Sequence, residues 1–511
     1  MRLTRKVMVI QGIRRAAEAD PAWGVRMIER DMGNVERDRY DVVVVGGGIY
    51  GIATLLEASR RGLRAVLLER GDFGGGTSWN SLRILHGGLR YLQSLDVTRF
   101  RESVCERRWF CLNFPEWVRP LPCLMPLYGR GLKRTSAMRT ALWMNDHLSR
   151  RRNDGVAADL HLPDGELLDA EQTAKRFEHV QRRGLQGAAL WHDAVMVNSQ
   201  RVVMEMLRWA CDCGGRALNY VEATEVAAGD GAVRGVTGRC TLTGRTLAVD
   251  AAVVVNCAGP GASAVVRGLA GEGAAALFRP SLAFNVLLDR PVGSPVAVAV
   301  QAPAAEAAMR FVQPWRGRML AGTVHLPWSG AAGDGTPSAA QVQAFLDELN
   351  AAVPAWALTA DDVTRVYAGL LPAAAEGSAT LAKRPIVRDH GDHGGPRGLV
   401  SVSGVKFTTA RRVAEQALTQ AWKERGGLPA YQPRSERRAS ARPIDLTDPQ
   451  QLFSGDERCT RAALTHIVQQ EAVIHMEDLL LRRSDWACDP AWRARVEQRV
   501  HELTSATLQR A

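Results

Sequence analysis

The sequence predicts an α/β protein: a mainly parallel sheet wound with helices, a second domain on an antiparallel sheet, and a small helical region after them. Three observations carry that prediction. Asp41-Val42-Val43-Val44-Val45 is a β-branched run that reads as a strand buried on both faces, and it leads straight into the turn Gly46-Gly47-Gly48-Ile49-Tyr50-Gly51. A similar run, Ala252-Val253-Val254-Val255-Asn256, recurs far down the chain. After it, Ser281 to Leu288 and Met309 to Val324 alternate as strands with one buried face do.

Composition sets the class. At 511 residues and 46% hydrophobic, the chain can bury a large core in more than one unit. Lysine and arginine number 65 against 54 acids, a net charge of +11 that favours anionic partners. No run of five basic residues and no nucleic-acid-binding signature occurs, so a nucleic-acid partner is not expected. Nine scattered cysteines form neither a disulfide framework nor a metal ligand set, which fits a reducing cytoplasm. No window reaches the length of a membrane-spanning helix, and residues 1–39 read as a frayed leader. The basic start leaves peripheral contact with the inner face of a membrane open.

The first elements follow in order. Gly46 permits a tight turn, Gly48 lets backbone amides approach a pyrophosphate, and Gly51 lets the next helix lie close to the strand. Ile49 and Tyr50 open that helix, whose N-terminus faces the phosphates, and it runs through Ile52 to Ala58. Ala65-Val66-Leu67-Leu68 is the second strand, ending at Glu69, a carboxylate suited to ribose hydroxyls, with Arg70 beside it. Strand, glycines, helix, strand and acid in this order make a dinucleotide-binding unit. The loop Asp72 to Ser78, of small and hydroxyl residues, suits a cofactor larger than NAD. Late in the chain, Gly404 to Thr409 opens the amphipathic helix Arg411 to Gln420, bringing amides and the Lys406 cation towards the cofactor.

Several motifs go beyond these general patterns: Thr77-Ser78-Trp79-Asn80-Ser81, the hexad His86-Gly87-Gly88-Leu89-Arg90-Tyr91, Asn256 to Pro260, Gly322-Thr323, Val387-Arg388-Asp389, Ser403 to Arg411, and a C-terminal helix Glu471 to Arg483. Together they resemble the FAD-dependent glycerol-3-phosphate dehydrogenases of the D-amino-acid-oxidase-type superfamily over nearly the whole chain from Tyr40. The resemblance implies an FAD-binding Rossmann-like domain of the glutathione-reductase type at 40–115, 185–280 and 370–425. It implies a substrate domain at 116–184 and 281–369, then a linker and a helical cap at 450–511. Non-covalent FAD is then expected at Gly46, Gly48, Ile49, Tyr50, Gly51, Glu69, Arg70, Thr77, Ser78, Ser81, His86, Gly87, Gly88, Val226, Ala258, Gly259, Gly404, Lys406, Phe407 and Thr408. Arg90, Tyr91, Thr323, Arg388 and Lys406 match the family's catalytic positions.

Two positions depart from the pattern. Leu371 stands where the family carries a phosphate-binding arginine, and Asn285 where it carries a histidine base. An amide cannot accept a proton near neutral pH, so His325, or else His86, is the candidate base. Lys383 and Arg384, new cations before Pro385, read first as a solvated loop pair, with compensation for Leu371 as the alternative. The expected activity is hydride transfer from a CH–OH carbon of a small phosphate-, phosphonate- or carboxylate-bearing substrate to flavin N5, with quinone or oxygen as acceptor. A homodimer stays open. The alternatives are an amine or amino-acid oxidase of the same superfamily and a non-catalytic flavin-binding protein.

Overall fold

Tyr40–Val45 lies at the centre of the first sheet because both its faces are apolar: Val42 and Val44 enter one buried cluster, Val43 and Val45 another. The computed structural model describes residues 28–129, 134–267, 269, 277–303, 307–330, 335–433, 435–437, 449–454 and 456–508. Ala65–Leu68 and Thr246–Asn256 flank the central strand in parallel, with Val43 opposite Val66 and Val254. Leu399–Ser403 and Arg216–Leu218 extend the parallel sheet outwards, and Ile386–Asp389 closes one edge antiparallel. Helices Ile49–Ser59, Ser199–Asp212 and Ala410–Ala421 bury one face, while the hairpin Val221–Gly229 and Ala232–Cys240 buries the other.

The second sheet has nine strands, antiparallel except where Ala297–Val300 meets Val118–Leu127. Pro280–Leu288 lies between Arg318–Pro327 and Val363–Pro372. Phe284, Val286 and Leu288 pack against Phe345, Leu346 and Leu349 of helix Ala339–Ala352. Side chains alternate across a strand, so Ala283 and Asn285 face the other way, towards the first sheet.

Four expectations change. Gly187–Met196, grouped by sequence with the FAD-binding stretches, is a strand of the second sheet, paired over its whole length with Val118–Leu127. Part of the expected leader is folded: Asp31 caps helix Met32–Arg37, Ile28 and Val35 are buried, and the Ile28 amide donates to Gln470 at 2.9 Å. The remainder of that leader, residues 1–27, lies outside the described residues. The linker is bound down where it is described, with Tyr431 donating to Glu57 at 2.6 Å and Arg437 paired with Glu116 and Glu205 at 3.0 and 3.1 Å.

The expected C-terminal helix Glu471 to Arg483 is also not continuous. Helix Glu457–Gln470 stops before it, Ala472 takes a left-handed conformation (φ 49°), and helical backbone resumes only at Met476, leading into Asp478–Arg483. The physical reason lies in the partners of its charges. Glu471 is drawn to Arg201 at 2.6 Å and Arg208 at 3.3 Å, and the Asp478 carboxylate accepts the amides of Ile474 and His475, both at 2.8 Å. Arg483 reaches Asp72 at 2.6 Å, so this segment is fastened to the first domain by buried ion pairs. Among the described residues no helix is long and apolar enough to cross a membrane.

Candidate active site

A cavity of about 1850 Å³ runs between the two sheets. That is larger than the roughly 300–1,000 Å³ of a small-molecule pocket and leaves room for a dinucleotide with a substrate beside it. At one end stands the glycine turn. A Cβ on Gly51 would lie 1.8 Å from the Gly46 carbonyl oxygen, so only glycine lets the helix start this close to the strand. Gly48 provides no side-chain cap, and the Ile49 amide donates to Ser78 Oγ at 2.9 Å. Glu69 accepts the amides of Gly47 and Gly71 at 2.5 and 2.8 Å, and burial raises its pKa against those two bonds.

Tyr50 joins this turn to the late loop. Its hydroxyl donates to the Lys406 carbonyl at 2.7 Å and accepts the Lys406 amide at 2.9 Å. Its ring lies where any side chain on Gly404 would have to be, 1.8 Å from a built Cβ. First helix and Gly404–Thr409 therefore form one wall.

The hexad forms the next wall. Gly87 donates its amide to Asp193 at 2.6 Å, His86 Nδ1 lies 3.2 Å from the same carboxylate, and Arg107 pairs with it at 2.7 Å. Burial works against the Asp193 charge, but the His86 hydrogen bond and the charges of His86 and Arg107 outweigh it and hold the pKa at about 2. Lys406 Nζ sits 3.9 Å above the Tyr91 ring centre, and burial followed by the Arg90 charge brings its pKa down to about 8.

The far end belongs to the second sheet. Asn285 accepts from the Thr323 hydroxyl at 2.8 Å and donates to the Asn80 carbonyl at 3.0 Å. His325 stands opposite Ala283 on the adjoining strand, its Nδ1 buried without a hydrogen-bond partner. Burial, then the Arg310 and Arg90 charges, push its pKa down to about 4. Leu371 also lines the cavity, placing an apolar side chain at the family's arginine position.

The structure thus brings together Arg90, Tyr91, Asn285, Thr323, His325 and Lys406, with Arg70, Thr77, Ser81, His86, Gly88, Ala258, Gly259, Phe407 and Thr408 along the same lining. It leaves four expected residues out of that lining. Arg388 is on the edge strand opposite Ser401. Val226 is buried against the meander core, and the bulge after Ala223 turns Glu222, Ala223 and Thr224 to the cavity instead. Gly51 and Gly87 act from behind, Gly87 because a Cβ there would meet the Arg107 guanidinium at 2.2 Å. Sequence reasoning missed Arg310 and the C-terminal Glu477, Asp478 and Arg482, which also line the cavity. A signal for Arg310 existed: it is the one charge in the strand-like run Met309 to Trp315.

The family model DAO, FAD dependent oxidoreductase, matches residues 41–420. The chain belongs to the FAD-dependent oxidoreductase family. Within it, the chain is 32% identical over 389 residues to glycerol-3-phosphate dehydrogenase 1 of Mycobacterium bovis, covering 75% of this chain and 72% of that one. It is 28% identical over 406 residues to glycerol-3-phosphate dehydrogenase of Synechocystis, with 77% and 72% covered. The solved glycerol-3-phosphate dehydrogenase of Bacillus halodurans, complexed with FAD, shares the fold at a TM-score of 0.67 and 20% identity, covering 94% of this chain and 95% of that one. This FAD-dependent oxidoreductase is a divergent relative of those enzymes.

The lining suits FAD. Gly76 and Gly259 face the cavity, and a Cβ on either would meet no protein atom within 4 Å, so bare backbone borders the space a dinucleotide would fill. The helix start at Gly48, the Glu69 carboxylate and the Lys406 loop offer donors, acceptor and cation in the order that phosphates, ribose and an electron-accepting ring require.

Proposed function

We propose that the protein oxidises the hydroxyl-bearing carbon of a small anionic substrate, with His325 taking the hydroxyl proton and Arg90 holding the anionic group. The observation that supports this most directly is His325 itself, a neutral imidazole on the wall that also carries Asn285 and Thr323. Bound FAD, held along the glycine turn, Ser78, Glu69 and the Gly404–Thr408 loop, would supply the hydride acceptor. At neutral pH His325 is free to accept a proton, which the Asn285 amide cannot do. Asn285 is fixed by Thr323 and Asn80 at both ends of its amide and is suited to orienting the hydroxyl. Arg90 and Lys406 make this end positive, which draws anions and gives the bound group one orientation. A quinone or oxygen serves as the final electron acceptor.

Anaerobic bleaching of the flavin at its long-wavelength absorbance band tests the proposal, using hydroxy acids, polyol phosphates, phosphonates and amines in parallel. Bleaching by an anionic alcohol is the expected result. Bleaching by amines alone would replace this reading with an amine oxidase, and no bleaching by any compound would leave a flavin carrier. Repeating the assay in air and then with a soluble quinone identifies the acceptor.

A further inference from the structure

We propose that Arg310, set by Glu348, is the second anion-binding residue of the substrate site and selects a carboxylate over a phosphate; this rests on the reading above. Arg310 lines the cavity near Arg90 and His325, with 13% of its side chain exposed. Three hydrogen bonds fix its plane: Nε and Nη2 donate to the two Glu348 oxygens, both at 2.9 Å, and Nη1 donates to the Thr323 carbonyl at 2.6 Å. A guanidinium has five N–H groups, so one remains on each terminal nitrogen. Glu348 and Thr323 thereby decide which way those remaining donors point, and a planar two-oxygen acceptor is what such a pair matches.

The number and direction of the donors decide between the anions. The Glu348 carboxylate neutralises Arg310 in place, so the Arg310 pair adds direction without adding net charge. Leu371 contributes none, and it shares a wall with His325, since Ser281 lies opposite Leu371 and Ala283 opposite His325 on the strand between them. Among the described residues at this end of the cavity, Arg90 and Lys406 are cations outside ion pairs, and the Lys406 ammonium lies on the Tyr91 ring, so it acts on an anion through its field. A planar carboxylate is satisfied by Arg90 and the Arg310 fork, whereas a tetrahedral phosphate would keep an oxygen facing apolar Leu371. The substrate class is therefore a short hydroxycarboxylate whose carboxylate reaches Arg310 while its hydroxyl lies at His325.

The FAD-loaded enzyme provides the test through lactate and glycerol-3-phosphate as bleaching substrates, with propionate and inorganic phosphate as inert ligands read by the shift of the flavin absorbance. Wild type should bind propionate more tightly than phosphate. Arg310→Leu should raise the propionate Kd and the lactate KM about ten- to hundredfold, as loss of charged hydrogen bonds does, with FAD content unchanged. The double variant Arg310→Leu with Glu348→Leu guards against misfolding from an unpaired Glu348 and should show the same loss. Glu348→Gln should move the preference towards phosphate. Propionate binding indifferent to both leucine variants, or a wild-type preference for phosphate over every carboxylate, overturns the inference. Because propionate binding needs no turnover, the proposal about Arg310 is judged even where no alcohol bleaches the flavin, and the two failures are told apart.

Discussion

The pH dependence of turnover separates His325 from every other proton acceptor in the cavity. An ordinary histidine titrates near 6.5, whereas His325 is held at about 4 by burial and by Arg310 and Arg90. At pH 5.5 an ordinary imidazole is about nine-tenths protonated and His325 only about one part in thirty. The bleaching rate should therefore stay level from neutral pH down to about 5 and fall tenfold per unit only below about 4. On the alkaline side Lys406 loses its charge through about 8, so anion-dependent kcat/KM should decline as pH rises past that value. Stopped-flow absorbance under anaerobic conditions, from pH 5 to 9 at constant ionic strength, measures the level stretch, where an ordinary histidine would already show its acid limb, and the alkaline limb. His325→Gln should slow the step by about 10²–10⁴ while FAD remains bound. An acid limb near 6.5 that persists in His325→Gln would refute the assignment, and its disappearance in His86→Gln would transfer the role to the hexad.

Three further outcomes are expected. Gly404→Ala drives a methyl into the Tyr50 ring, so the purified variant should carry little FAD while keeping its secondary structure by circular dichroism; Tyr50→Phe, which removes only hydroxyl bonds of about 1 kcal/mol each, should keep most of it. Glu471→Gln leaves the buried Arg201 and Arg208 guanidiniums short of a counter-charge and should cost about 3–5 kcal/mol in urea unfolding. His390 is buried beside Ser401 and its pKa falls to about 4 through burial and then Arg388. The unfolded chain takes up that proton first, near 6.5, so this contribution is complete above 6.5 and is lost as pH falls from there towards 4. Between pH 7 and 5 wild type should lose about 2 kcal/mol that His390→Asn retains, as read from urea midpoints.

What was legible in the sequence had a local cause. The valine run and the glycine turn announce themselves because strand burial and helix approach each demand a residue type at a fixed spacing, while the HGGLRY hexad stands out by its resemblance to a family. The two departures, Leu371 and Asn285, were legible only against the pattern of the family the chain resembles, and both line the cavity. The misreadings share a different cause, namely partners distant in sequence. Gly187–Met196 reads as a buried strand in either sheet, and only its pairing with Val118–Leu127 assigns it. Glu471 to Arg483 has helical spacing, yet Arg201 and Asp72 draw its charges away from one axis. Arg310 reads as a strand's solvent-facing charge until Glu348, on a later helix, turns it inward.

The attachment of Asp478 to Arg483 at the cofactor cavity also dictates an order of events during synthesis. Arg483 pairs with Asp72 across 411 residues of chain. At a ribosomal pace of about 5–20 residues per second, roughly 20–80 s separate the emergence of the glycine turn from that of its last wall. Through that interval the nascent first domain exposes an open groove and an unmatched Asp72. Tight cofactor uptake is therefore an event that follows translation of Arg483, and a ribosome-stalled chain ending before Glu471 should exchange flavin that the released protein retains.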